Sequence, residues 1–191
     1  MTRFKLAALL LAPAVAIALG STTLYAQEHE TVNAPTSVHD QTVKHFQEVL
    51  KALAAMGTPE TPFDFVHPAV SGPVVVLQGF TVNGALKDNA QAQVQKLEWV
   101  THVVNEVELL DVGPELRRVR QQVLATLQRL VPQAFPERRA QIRIKVTLKG
   151  DVTLVGVISP KEKERLAAAV EQVKHVEMVG SVTNNVVETT S

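Results

Sequence analysis

Apolar residues recur at helical spacing in one stretch and alternate with polar ones in the next, and the chain runs through this pattern twice. Leu116, Val119, Val123, Leu127 and Leu130 fall three and four residues apart, as one buried helix face requires, and Val43, Phe46, Leu50 and Leu53 do the same upstream. Ile142, Ile144, Val146 and Leu148 instead alternate with polar side chains, which predicts a half-buried strand. A turn at Lys149-Gly150-Asp151 leads into a hairpin partner running through Val152 and Leu154 to Ile158. Ser159-Pro160-Lys161-Glu162 predicts a helix start with an N-cap serine, a first-turn proline and a capping-box glutamate. Leu166, Val170 and Val173 form that helix's buried stripe, and Leu86, Ala90, Val94 and Leu97 are the counterpart in the first half. Residues 182–187 are valine-rich and predict a closing strand.

The two passes share a motif as well as an element order. Leu77-Gln78-Gly79 precedes the run Val100, Val103, Asn105, Val107 by 21 residues, and Leu154-Val155-Gly156 precedes Val179, Val182, Asn184, Val186 by 23. Each copy therefore reads helix, strand, strand, helix, strand, an α+β layer with two helices packed on one face of a small mixed sheet. The boundaries fall at 43–110 for the first αββαβ unit, 111–114 for a linker and 115–188 for the second. The first strand of the first copy must lie in the proline-rich segment from Thr58 to Gly72, where only Phe63-Asp64-Phe65 alternates. That strand is predicted to be short, displaced to a sheet edge or missing.

The N-terminus has a different pattern. Arg3 and Lys5 precede an apolar stretch from Leu6 to Leu19, then Gly20 and a polar run. About 14 apolar residues fall short of the roughly 20 that span a bilayer, so residues 1–26 read as a cleavable signal peptide. The expected cut follows Leu24-Tyr25-Ala26, with Gly20 the second choice, and implies export to a periplasm or beyond. Residues 27–42 are polar, contain Pro35 and read as a flexible leader.

Composition narrows the function classes. The chain has no cysteine, which removes disulfides, thiolate metal sites, thiol nucleophiles and a lipidated cysteine anchor. With 19 basic and 19 acidic residues and only 4% aromatics, it lacks the basic excess and stacking platforms of a nucleic-acid protein. Without the signal, 17 basic residues face 19 acidic ones. The six histidines make no compact ligand spacing, and no nucleophile elbow, Walker loop or dinucleotide fingerprint occurs. His29, between Glu28 and Glu30, reads as an ordinary tail residue. No catalytic residue, metal site or cofactor is expected.

Two αββαβ units with Gly79, Val100, Val103 and Asn105 in one, and Gly156, Val179, Val182 and Asn184 in the other, resemble BON domains (bacterial OsmY and nodulation). The resemblance spans about residues 43–188 and implies a non-enzymatic envelope protein, commonly periplasmic, associated with osmotic or envelope stress and with phospholipid binding. It departs from the family pattern just before the first valine of the closing motif, where the usual glycine is Trp99 in one copy and Met178 in the other.

Charge is distributed unevenly. Residues 27–110 hold 4 lysines, no arginine and 10 acids, a net of minus 6, whereas residues 111–191 hold 13 basic groups and 9 acids, a net of plus 4. Arg117, Arg118, Arg129, Arg138 and Arg139 cluster on the first helix of the second unit and the loop after it. Arg120 lies near the apolar stripe, at a position suited to snorkelling. The first five, with Trp99 and Met178 as apolar anchors, are the candidate site for anionic phospholipid head groups. Core or inter-unit seam packing is the favoured reading of Trp99 and Met178 over a membrane contact, and docking of the acidic unit on the basic one is the competing use of the charges. Asn105, Asn184, Gly79 and Gly156 read as structural, the glycines marking a bulge or a close helix approach. The alternative function is a chaperone-like module that holds envelope proteins and has no lipid affinity.

Overall fold

The computed structural model describes residues 38–57, 61–136 and 140–189. The first repeat comprises α1 (Val38–Ala54), β1 (Phe65–Ser71), β2 (Val74–Thr81), α2 (Gly84–Val94), β3 (His102–Asn105) and the two-residue β4 (Glu108–Leu109). The second comprises α3 (Pro114–Leu130), β5 (Ile142–Val146), β6 (Asp151–Ile158), α4 (Lys163–Val173) and β7 (Ser181–Glu188). The architecture is the α+β tandem the periodicity predicts. In each repeat the middle strand pairs antiparallel with the strand before it and parallel with the one after the helix. A helix between parallel neighbours is what such a crossover requires. The registers coincide: Leu77 lies opposite Asn105, as Leu154 lies opposite Asn184.

Each sheet buries its alternating residues beneath its helices. In the second repeat Ile144, Val152 and Leu154 meet Val119, Val123 and Leu127 of α3 and Leu166 and Val173 of α4. In the first, Val75, Leu77 and Val103 meet Ala90 and Val94 of α2 and Val49 of α1.

Several local expectations need correction. Residues 38–42 belong to helix α1 and not to a flexible leader. Its buried face is also rotated: Val43 and Leu50 are exposed, and Val49, Leu53 and Met56 pack on the first core. Both sets satisfy helical spacing, and only contact with the sheet and α2 selects between them. Strand β1 is neither short nor missing; it pairs with β2 over all seven residues. It lies at the sheet edge, where Pro68 is tolerated because half the amides of an edge strand need no ladder partner.

Leu148 is 75% exposed, because β5 ends at Val146 and the chain turns there, the Gly150 amide donating to the Thr147 carbonyl at 3.0 Å. The capping box does not form. Pro160–Glu162 is a tight 3-10 turn, Ser159 makes no side-chain cap, and the buried Glu162 does not reach back.

The glycines of the two motifs admit a neighbouring strand, not a helix. A Cβ on Gly79 would lie 1.8 Å from the Phe65 carbonyl oxygen, and one on Gly156 would lie 2.0 Å from that of Gln141. Both adopt positive φ, 118° and 140°.

The repeats are joined by more than the linker. Phe63, from the first repeat's sequence, is buried in the second repeat's core. The Ile144 amide donates to the Pro62 carbonyl at 2.7 Å, extending the β5 edge. Asp64 anchors this segment. Its buried carboxylate accepts from the Thr61 amide at 2.9 Å, the Thr61 hydroxyl at 2.6 Å, the Thr81 hydroxyl at 2.5 Å and the Val82 amide at 3.2 Å. A buried carboxylate is tolerated only when its lone pairs are satisfied in this way.

Candidate functional site

The amphipathic period of α3 turns Leu116, Val119, Val123 and Leu127 onto the sheet and leaves Arg118, Gln122, Ala125 and Arg129 on the opposite, exposed face. At 1.5 Å per residue the two arginines stand about 16 Å apart along that stripe. Arg118 Nη2 lies 3.5 Å from Glu177 Oε2, and both side chains are more than half exposed. Exposed pairs of this kind contribute about 0–1 kcal/mol, so a competing anion displaces the glutamate at little cost. Arg129 Nη2 donates to Gln172 Oε1 at 2.5 Å. Arg117 is exposed and its Nη2 donates to the Val112 carbonyl at 3.4 Å. These partners belong to the second repeat or the linker. Lys145 pairs with Glu108 across the repeats, an ion pair that involves no α3 residue.

Arg120 departs from the expectation. It does not snorkel but is 3% exposed, because it falls one turn after Leu116 on the face that the linker and β5 cover. Its Nη2 donates to the carbonyls of Asp111 and Val146, and its Nε has no partner. Burial holds its pKa below the ordinary arginine value, and the negative charge of Asp111 opposes that shift. Arg138 and Arg139 lie outside the described residues.

Met178 and Trp99 have different surroundings. Met178 is 46% exposed and follows Glu177, the partner of Arg118, in sequence. Its φ is 69°, a left-handed backbone that explains why glycine suits this corner. Replacing Met178 by glycine should stabilise the protein by about 0.5–1 kcal/mol, the relief of a left-handed residue less the added unfolded-state freedom. Urea titration checks this.

Trp99 belongs to the first repeat's core edge. It stacks on His45 with centroids 3.8 Å apart and planes 6° from parallel, and its Nε1 donates to Glu48 Oε2 at 2.6 Å.

The remaining motif residues make structural contacts. Val103 is buried, Val100 packs on the first core, and Val179 and Val182 pack on the second. Asn105 Oδ1 accepts from the Val107 amide at 3.2 Å and Asn184 Oδ1 from the Val186 amide at 3.1 Å, the same two-residue turn in both copies. Asn105 Nδ2 additionally donates to the Lys87 carbonyl at 3.0 Å, tying β3 to α2. Spacing found these residues. It marked Phe63-Asp64-Phe65 only as a strand fragment and gave no sign that Asp64 anchors the segment or that Phe63 enters the second repeat's core.

The larger of two clefts near the linker, about 830 Å³, has Glu108, Asp111 and Asp151 on its walls against Lys149 alone, which does not suit an anion. Among the described residues no group of histidine and carboxylate side chains is placed to hold a metal ion, and no helix is long and apolar enough to cross a membrane.

Among solved structures, the chain is similar to the C-terminal domain of CdsD, the structural protein of the Type III secretion system of Chlamydia trachomatis. The identity is 14%, the match covers 75% of this chain and 96% of that one, and the TM-score is 0.32. A second CdsD structure from the same organism matches at 15% identity over 79% and 93% of the two chains, with a TM-score of 0.29. No curated protein matches the chain. The family model of the BON domain matches twice, over residues 47–111 and 121–189, in step with the two αββαβ repeats, and the chain is therefore a tandem member of the BON-domain family.

Proposed function

We propose that this protein is exported to the periplasm, its signal removed after Ala26, and docks there reversibly on anionic phospholipid through the second repeat. BON domains are membrane- or envelope-associated binding modules and are generally not enzymes. The finer reading rests on one observation: Arg118 and Arg129 lie on the exposed stripe of α3, and their partners among the described residues, Glu177 and Gln172, both belong to the second repeat. Arg117 flanks this face, and Arg138 and Arg139 follow in sequence. At about 1 kcal/mol for each basic residue near an anionic surface, three to five arginines supply roughly 3–5 kcal/mol. Such attachment is weak and sensitive to salt, and Met178 adds a small apolar contribution. A role in envelope maintenance under osmotic stress fits a reversible surface contact of this strength.

Co-sedimentation with phosphatidylglycerol vesicles tests the reading. Arg118→Gln with Arg129→Gln should weaken binding roughly thirtyfold, the equivalent of about 2 kcal/mol. Equal binding to neutral phosphatidylcholine vesicles would sink it. Trp99, held by His45 and Glu48, should show no spectral shift on binding.

The second reading, a protein-holding module, is favoured by the free edge of the eight-residue β7, which can accept an added strand. Suppression of aggregation by protein that ignores every vesicle would establish it instead.

A further inference from the structure

At the seam between the repeats lies a second cavity, of about 400 Å³, at the small end of the range of roughly 300–1,000 Å³ typical of ligand sites. Phe63, Val82, Val112 and Leu124 form apolar walls, drawn from the first repeat, the linker and α3. Arg117 and Arg120 also line it. It is distinct from the exposed stripe, since Arg117, Arg120 and Leu124 lie on another flank of α3 from Arg118, Gln122 and Arg129.

Arg120 gives this cavity its chemistry. A buried charge is unfavourable unless an opposite charge or several hydrogen bonds compensate it. Arg120 has two backbone carbonyls, an Nε without a partner and no ion pair with any described residue. The carboxylate of Asp111 is engaged by the Gly113 amide at 2.6 Å. Arg117, exposed above it and held only by the 3.4 Å contact to Val112, is free to swing onto an anion entering the cavity. An apolar chamber beside two guanidinium groups that lack carboxylate partners calls for a ligand with one short apolar tail and one negative head.

We propose that this seam cavity is a binding site for a single-chain fatty carboxylate, its tail against Phe63, Val82 and Leu124 and its head at Arg117, in the field of Arg120. Because the walls come from both repeats, occupancy should hold the repeats together. The site shares Arg117 with the flank of the docking face but uses neither Arg118 nor Arg129.

Titration calorimetry on the full chain, below the micelle threshold, provides the test. Decanoate should bind and raise the melting temperature, whereas decanol, with the tail but no charge, and acetate, with the charge but no tail, should bind at least tenfold more weakly. Decyl phosphate separates the two anion sources: carboxylate preference supports the assignment, and phosphate preference overturns it. Arg117→Gln, at an exposed position that leaves the core intact, should weaken decanoate at least fivefold. Leu124→Trp should fill the cavity and abolish binding. Arg118→Gln with Arg129→Gln should leave decanoate affinity unchanged while reducing vesicle binding, so the two sites fail separately. Decanol binding as tightly as decanoate, or decanoate affinity unaltered by both Arg117→Gln and Leu124→Trp, would overturn the proposal.

Discussion

Gly156→Ala is expected to lower stability by about 4 kcal/mol or more and to leave the second repeat largely unfolded. The new Cβ would stand 2.0 Å from the Gln141 carbonyl oxygen and 3.0 Å from its carbon. Both are backbone atoms of the entry to β5, and the Val157 amide donates to that same oxygen at 3.2 Å, so neither side can give way without opening the hairpin. A φ of 140° adds about 1–3 kcal/mol of strain for any residue with a side chain. Gly79→Ala should act alike in the first repeat, at 1.8 Å from the Phe65 oxygen. Gly72→Ala is the control. It also has positive φ, 56°, but meets nothing within 4 Å, and should cost only about 1–2 kcal/mol. Urea midpoints for the three variants decide the matter; a Gly156→Ala protein no weaker than Gly72→Ala would refute the close-approach account.

Phe63→Ala should destabilise the second repeat by about 3–5 kcal/mol although it belongs to the first repeat's sequence. The ring is 8% exposed within the core formed by α3, α4 and the second sheet, and Asp64 fixes its loop through four hydrogen bonds. The protein's single tryptophan, Trp99, reports on the first repeat alone, while far-ultraviolet circular dichroism reports on both. In the native protein the two signals should change together in urea. In Phe63→Ala the dichroism transition should begin earlier than the fluorescence transition. Coincident transitions at an unchanged midpoint would show that Phe63 does not couple the repeats.

These effects separate what a linear reading can reach from what it cannot. Strongly periodic elements were legible: α3 and α4 bury the residues their spacing indicates, and the repeated valine, asparagine and glycine positions occupy matching registers. The exposed placement of Arg118 and Arg129 followed from the same helical wheel. Where two stripes satisfied one period, as in α1, packing on the sheet and α2 decided between them, and Val49 was preferred to Leu50. Arg120 was misplaced because its burial depends on the linker and β5 closing over it. Met178 stood out only as a departure from a glycine pattern, and its left-handed φ supplies the physical reason. The seam cavity was beyond reach, since Phe63, Val82 and Leu124 are brought together only when the repeats dock.

The absence of cysteine allows one reporter to be placed at will. Ala125 sits exposed between Arg118 and Arg129 on the α3 stripe, and Lys51 sits exposed on α1 of the first repeat. An environment-sensitive fluorophore on Ala125→Cys should shift to the blue with phosphatidylglycerol vesicles and return with added salt. The same fluorophore on Lys51→Cys should not respond. A shift at Lys51→Cys with none at Ala125→Cys, or an Ala125→Cys shift that neutral vesicles reproduce and salt does not reverse, would contradict docking through the basic face of the second repeat.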